Sequence, residues 1–155
     1  MTTRFRQATE CPQILTTENI SSAKIERCIS LCDQILSDPN EKVVIFTFFK
    51  ETCNQLMEKL THYNPVLCTG DVPDDIVDQR KYMFNNDNEH RILIGTGQKM
   101  GTGHSLNNKC SYLICLGYPY TFGMLSQWCD RVHRLDNKRP AFIYLLWTLD
   151  TFDEY

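Results

Sequence analysis

Short apolar runs, separated by stretches with helical spacing, are the dominant pattern of this 155-residue sequence. The runs are rich in β-branched and aromatic residues, which is typical of buried strands. They lie at residues 42–49, 65–68, 91–94, 112–116 and 141–147. Because strands and helices alternate along the chain, the pattern predicts an α/β fold: a mostly parallel sheet with helices on both faces. Ligands of such sheets bind beyond the carboxyl ends of the strands.

Apolar residues with a period of about 3.6 predict the helices between these runs. The clearest stripe follows Ser21 and Ser22, which can cap a helix, and continues at positions 25, 28, 29, 32, 35 and 36. Further helices are predicted around residues 53–60, 76–84 and 122–132, and a loop at 85–89. The first 20 residues show no such pattern, so we expect an irregular run-in segment at 1–20 and one domain at 21–155.

Charge and cysteine content limit the class of protein. The net charge is −3, whereas a protein that holds nucleic acid by charge alone is usually strongly basic. A nucleic-acid site must then be local or shared with another domain. Most of the eight cysteines lie in apolar runs and no C-x-x-C pair exists, which predicts no structural metal and a reducing compartment, the cytoplasm or nucleus. No apolar run is long enough to span a membrane, and the amino terminus does not resemble a secretion signal.

The segment from Gln127 to Arg134 carries the most specific chemistry. If it is helical, Gln127, Arg131 and Arg134 lie together, opposite an apolar stripe at positions 122, 125, 129 and 132. Two adjacent guanidiniums repel each other unless an anion lies between them, and guanidinium binds phosphate oxygens in a bidentate manner. A nucleoside triphosphate fits this pattern. A solvated face, with the arginines paired to neighbouring aspartates, fits it equally well.

A loop with four glycines, residues 95–103, follows the third predicted strand. Its spacing does not match the dinucleotide-binding fingerprint, and the pattern G-x-x-x-x-G-K-[ST] is absent from the chain. The chain therefore lacks the lysine with which a P-loop holds the β- and γ-phosphates. A tight turn is the common explanation of such a loop.

Taken in order, these segments resemble the C-terminal RecA-like helicase lobe of Snf-type ATPases. The resemblance covers nearly the whole chain, and the segment that ends at Arg134 is its most specific part. The matching segments are Ser-Ala-Lys-Ile-Glu from Ser22, Lys42-Val-Val-Ile-Phe-Thr, Thr69-Gly70, Arg80, Phe84, Ile92-Leu-Ile-Gly-Thr96, Gly101-Thr-Gly103, Gln127-x-x-Asp-Arg-x-His-Arg134, Arg139-Pro and Asp150-Thr-Phe-Asp-Glu154.

The resemblance implies a role for each matching residue. Arg131 and Arg134 would be arginine fingers that reach ATP on a first lobe, and Gln127 would sense the nucleotide. The loop from Gly101 to Gly103 would bind nucleotide and couple it to the grip on nucleic acid. Residues at strand ends would contact backbone phosphates without sequence preference. These nucleic-acid contacts are Thr47, Lys50, Thr69, Gly70, Thr96 and Lys99.

The resemblance also implies cofactors and partners. ATP and Mg²⁺ would be held mainly by the first RecA-like lobe, supplied by the same gene or by a separate chain. The nucleic acid would be DNA, double-stranded in preference, and the chain alone would be inactive as an ATP hydrolase. Departures from the family pattern at Ser105, Asp136 and the turn at 120–122 concern the coupling residues. A stand-alone, non-catalytic lobe that binds nucleic acid or protein is the alternative.

Overall fold

Five parallel strands form the single sheet of the computed structural model, which describes residues 2–18, 20–100, 106, 110–133 and 139–154, the side chains of Thr2 and Gln98 excepted. The order is β2-β3-β1-β4-β5, and every pair is parallel. The strands are β1 (Val43–Thr47), β2 (Val66–Cys68), β3 (Ile92–Thr96), β4 (Tyr112–Cys115) and β5 (Phe142–Leu145). This confirms the predicted α/β fold with a parallel sheet.

Six α-helices surround the sheet in the described part of the chain. They are α1 (Thr2–Glu10), α2 (Ala23–Leu36), α3 (Lys50–Lys59), α4 (Asp74–Asn86), α5 (Gly97–Met100) and α6 (Phe122–Cys129). Short 3₁₀ turns lie at Pro12–Ile14, Thr61–Tyr63 and Phe152–Glu154. The predicted cap of the second helix is confirmed, because the Ser22 hydroxyl accepts a hydrogen bond from the Ile25 amide at 3.3 Å.

Side chains that alternate along the strands build two cores, one on each face of the sheet. Val43 and Ile45 pack with α2 and α3 on one face. Val44 and Phe46 point the opposite way and pack with α4, α5 and α6. Helices therefore cover both faces, as predicted, and all five residues of β1 are buried because the strand is central.

The prediction of an irregular run-in segment is wrong for residues 2–10, which form α1. This helix contains few apolar residues, so tertiary contacts must stabilise it. Phe5 stacks on Phe152 with ring centres 5.5 Å apart, and Glu10 and Cys11 are buried. The boundary between residues 20 and 21 stays a prediction.

Two further element boundaries differ from expectation. Helix α4 continues to Asn86, beyond the start of the loop predicted at 85–89. Strand β3 continues to Thr96 and is followed directly by α5, where a glycine loop was expected. Gly95 is needed inside the strand because a Cβ there would lie 2.8 Å from the carbonyl oxygen of Cys68 and would overlap the side chain of Met100.

Candidate functional site at the carboxyl edge of the sheet

The carboxyl ends of β1, β2 and β3 bring most of the predicted nucleic-acid contacts to one edge of the sheet. Thr47 is in register with Thr96, and Cys68, the residue before Thr69, is in register with Gly95. Lys50 begins α3 directly after β1, and Lys99 lies in α5 directly after β3. The parallel order thus gathers side chains that are far apart in sequence.

Burial divides these residues into two groups. Gly70 is exposed and Thr96 is partly exposed, so both are accessible at this edge. Thr47 and Thr69 are buried, so their hydroxyls do not lie on the lobe surface, and their contacts with backbone phosphates stay a prediction. The Thr47 hydroxyl donates a hydrogen bond to the buried carboxylate of Glu10 in α1. Its role in the structure is therefore to join β1 to α1.

Both candidate lysines are paired with acidic side chains. Lys50 forms an ion pair with Asp71, and Lys99 forms one with Asp74. The hydrogen bond from Lys99, together with its charge, holds the pKa of the Asp74 carboxyl below its usual range. A phosphate at either lysine would compete with a carboxylate, which reduces the electrostatic attraction that each lysine offers.

Helix α6 positions the residues predicted to meet the nucleotide. The Thr121 hydroxyl caps it by accepting a hydrogen bond from the Met124 amide at 3.2 Å. The helix ends at Cys129, so the predicted continuation towards residue 134 is wrong. Gln127 is exposed on the helix, whereas Arg131 lies in the turn beyond it and is half-buried. Arg134, Gly101 and Gly103 lie outside the described residues.

Val132 is buried, as the predicted apolar stripe requires, but the stripe is wrong at Phe122. Phe122 is 79% exposed, and Trp128, which was not assigned to the stripe, is buried. Its ring packs against Phe46 at 5.2 Å between centres, nearly perpendicular, and against Phe48 at 5.3 Å. Gly97 leaves room for the ring, because a Cβ there would overlap Trp128. Trp128 is therefore the side chain that fixes α6, and with it the turn of Arg131, to the sheet.

A buried polar network next to this edge had no signal in the sequence. Glu10, the last residue of α1, lies at the end of β1. Its burial raises the pKa of the carboxyl above its usual range, although the hydrogen bond from Thr47 opposes the shift. Lys24, at the start of α2, pairs with Asp153 at 2.5 Å. These contacts connect α1 to the central strand and α2 to the Phe152–Glu154 turn.

No group of three His, Cys, Asp or Glu side chains is placed to hold a metal ion within residues 2–18, 20–100, 106, 110–133 and 139–154. The expected absence of a structural metal stays a prediction. None of the helices that the structure describes is long and apolar enough to cross a bilayer.

Residues 23–136 match the family model described as helicase conserved C-terminal domain. The chain is 26% identical over 139 residues to the ATP-dependent helicase fft1 of Schizosaccharomyces pombe. This alignment covers 87% of the chain but only 14% of that helicase.

Solved structures share the fold. The C-terminal part of the Fun30 ATPase domain superposes with a TM-score of 0.77 at 23% identity, over 86% of this chain and 43% of that one. The SWI2/SNF2 ATPase core of Sulfolobus solfataricus in complex with double-stranded DNA superposes with a TM-score of 0.80 at 21% identity, over 99% and 33%. The C-terminal domain of a Sulfolobus solfataricus SWI2/SNF2 ATPase gives 0.72 at 18% identity, over 99% and 63%. The chain belongs to the helicase conserved C-terminal domain family and has the RecA-like fold of the C-terminal lobe of Snf-type ATPases.

Proposed function

We propose that this chain is the second lobe of a nucleic-acid-dependent ATPase that moves along DNA, with Arg131 and Arg134 as its arginine fingers. The segment from Gln127 to Arg134, which lies within the matched family region, carries the proposal. In the described part of this segment, a helix fixed by Trp128 presents Gln127 to solvent and holds Arg131 in the following turn. A guanidinium held in this way is preorganised for charge that develops on a phosphoryl group.

A first RecA-like lobe must complete the catalytic site. The sequence contains no P-loop lysine, so ATP and Mg²⁺ would be bound mainly by that lobe. The chain covers 14% of the helicase that it resembles and 33% of the DNA-bound ATPase core, which leaves room for such a lobe in the relatives. We therefore expect the chain alone to hydrolyse no ATP. Steady-state ATP hydrolysis by the purified chain, free of contaminating ATPases, would contradict the assignment of ATP binding to a first lobe.

DNA would contact the carboxyl edge formed by β1, β2 and β3. Gly70 and Thr96 are accessible there, and Lys50 and Lys99 can contribute charge once they leave their acidic partners. Contacts of this kind go to the phosphate backbone and carry no sequence preference. The similarity to an ATPase core that was solved in complex with double-stranded DNA supports a double-stranded partner.

An intracellular location fits the cysteines. Each of the eight is a free thiol, and all but Cys129 are buried. Burial raises the pKa of Cys53 and Cys110 to about 12, so these two thiols stay protonated and pack as small apolar side chains.

The decisive experiment replaces the arginines in the two-lobe protein. Arg131→Lys and Arg134→Lys keep the charge but remove the planar fork, and each should lower turnover by about 10³-fold or more. ATP affinity should change much less, since the first lobe supplies most ground-state contacts. Arg27→Ala, on the exposed side of α2, is the control and should leave turnover unchanged.

Melting temperature separates the proposed role from a structural one. Arg131 is half-buried, so the lysine variant is more informative than alanine. Near-normal turnover in both folded lysine variants would refute the finger assignment. It would favour instead a lobe that binds nucleic acid or protein without taking part in catalysis. A large fall in melting temperature together with lost turnover would make the arginines structural.

A further inference from the structure

A cavity of about 450 Å³ lies beyond the carboxyl ends of β4 and β5, at the side of the site described above. Gly117 and Tyr118 follow β4, Trp147 follows β5, and α1 contributes Arg6 and Glu10. In the strand order, the chain runs from β1 to β2 and β3 on one side of the sheet and then crosses to β4 and β5 on the other. The cavity is therefore close to the point where the order reverses, the usual ligand position in open α/β sheets.

Two aromatic side chains in the cavity wall are partly exposed to solvent. Tyr118 and Trp147 are 41% and 54% exposed, and their ring centres lie 6.2 Å apart at an angle of 66°. A planar ligand can stack on one of these rings and meet the edge of the other. Such stacking surfaces recur where proteins bind unpaired bases.

The guanidinium of Arg6 has hydrogen-bond donors for which the described residues provide no acceptor. Its guanidinium lies 3.6 Å from the centre of the Tyr120 ring and 4.9 Å from that of Phe48. Within the part of the chain that the structure describes, the Arg6 guanidinium makes no hydrogen bond or ion pair with protein, and its Nη1 is buried. A guanidinium has five N–H donors, and donors that are removed from water need acceptors. A ligand that carries acceptors at its edge would supply them.

The charges around the cavity oppose both strongly anionic and strongly cationic ligands. Lys24 is paired with Asp153, and both line the cavity together with Glu10 and Glu154. A phosphate would approach these carboxyl groups, and a cation would approach Arg6 and Lys24. A neutral, planar molecule with acceptors at its edge fits the wall better than either.

We propose that this cavity binds a nucleobase, which stacks on Tyr118 or Trp147 and accepts a hydrogen bond from Arg6. The volume lies within the range of small-molecule sites, about 300–1,000 Å³. The base can come from a free nucleoside or from an unpaired position in DNA. This site goes beyond the proposed motor function, because it needs neither ATP turnover nor the two fingers.

Tryptophan fluorescence of the 155-residue chain provides the test, since its two tryptophans differ in exposure. Trp128 is buried away from solvent, whereas Trp147 is exposed in the cavity wall. Titration with adenosine should quench the fluorescence to saturation, and ribose 5-phosphate should not. The quenching should be lost in Trp147→Phe, which removes the reporter.

Affinity in the variants is measured by equilibrium dialysis with labelled adenosine, with melting temperature as a check on folding. Tyr118→Ala and Arg6→Lys should each bind about tenfold more weakly, the usual effect of one lost base contact. Tyr82→Ala removes an equally polar aromatic ring from the exposed side of α4 and should bind like the parent chain.

Two titrations distinguish the sources of the base. A single-stranded oligothymidine that displaces adenosine and binds more tightly than thymidine indicates an unpaired base of DNA. An oligonucleotide no tighter than the free nucleoside indicates a soluble ligand. The proposal is overturned if ribose 5-phosphate competes as well as adenosine monophosphate, which would reveal an anion site. It is equally overturned if no nucleoside or oligonucleotide binds at millimolar concentration.

Discussion

The ammonium group of Lys24 lies 2.5 Å from a carboxylate oxygen of Asp153, and both side chains are largely buried, at 3% and 10% exposure. The same carboxylate accepts hydrogen bonds from the Thr148 amide at 3.0 Å and the Thr9 hydroxyl at 3.3 Å. A single buried charge pair thus joins the start of α2, the end of α1 and the Phe152–Glu154 turn. The free-energy cost of burying each charge is therefore offset by the charge of its partner.

Asp153→Asn should destabilise the chain by about 3–5 kcal/mol, because it leaves the Lys24 charge buried without its ion-pair partner. Urea unfolding at neutral pH measures the effect. Asp71→Asn is the matched control: it breaks the pair with Lys50, whose side chains are 58% and 60% exposed, and should cost less than about 1 kcal/mol. Equal effects of the two substitutions would mean that burial of the Lys24 pair has no energetic consequence.

The buried carboxyl of Glu10 predicts an unusual pH dependence. Burial raises its pKa in the folded chain above the ordinary value of a glutamate. The folded state therefore binds this proton more tightly. At pH values below the unfolded pKa the protonated carboxyl does not reduce the free energy of unfolding. Its destabilising effect develops as the pH rises through the folded pKa.

Glu10→Gln removes this titration, so its stability relative to the parent chain should improve as the pH rises from about 4 to 7.5. Urea unfolding of both proteins across this range gives the difference directly. The pH series is its own control, since a change in packing shifts the difference equally at every pH. A difference that stays constant would show that the carboxyl does not titrate abnormally.

The strands could be predicted from the sequence, whereas the exact extent of the helices could not. Short β-branched runs such as 43–47 are typical of strands buried on both faces, and their alternation with helical stripes predicts a covered parallel sheet. The stripe assigned to α6 failed within the helix, where Phe122 is exposed and Trp128 occupies the buried face. Beyond Cys129 the amides of Arg131 and Val132 bond three residues back, so the predicted common face of Gln127 and Arg131 does not follow from a rotation of 100° per residue.

The polar network could not be predicted from the sequence, for a different reason. Glu10 and Thr47, or Lys24 and Asp153, meet only when the whole lobe has folded, and local patterns contain no sign of such pairs. The family resemblance had singled out the segment that contains Lys24, but it gave no partner. Burial of Thr47 follows from the same network.

Lys50 and Lys99 should contribute to DNA affinity mainly through salt-dependent contacts. In the two-lobe protein, Lys50→Ala and Lys99→Ala should each reduce the slope of log affinity against log salt by about one. Fluorescence anisotropy with a duplex, between about 50 and 200 mM salt, measures this. Lys59→Ala, at the opposite end of α3, is the control and should leave the slope unchanged. An unchanged slope in both edge variants would place the DNA contact elsewhere.

Gly97 and Trp128 give the sharpest test of how the site is built. A Cβ at position 97 would overlap the indole ring, which is buried and held between Phe46 and Phe48. Gly97→Ala should therefore destabilise the chain by about 1–3 kcal/mol, as overpacking usually does. In the two-lobe protein it should also lower ATP turnover, because the Arg131 amide bonds to the Trp128 carbonyl at 3.2 Å and moves with it.

Gly123→Ala is the matched control for this substitution. Gly123 lies in the first turn of α6, where the nearest atom to an added Cβ is 3.9 Å away. Alanine there should stabilise the chain by about 0.5–1 kcal/mol, because it reduces the freedom of the unfolded state. Urea unfolding compares the two variants, and ATP turnover is read under conditions where both are folded. If Gly97→Ala is as stable and as active as Gly123→Ala, close packing of Trp128 against the start of α5 does not position Arg131.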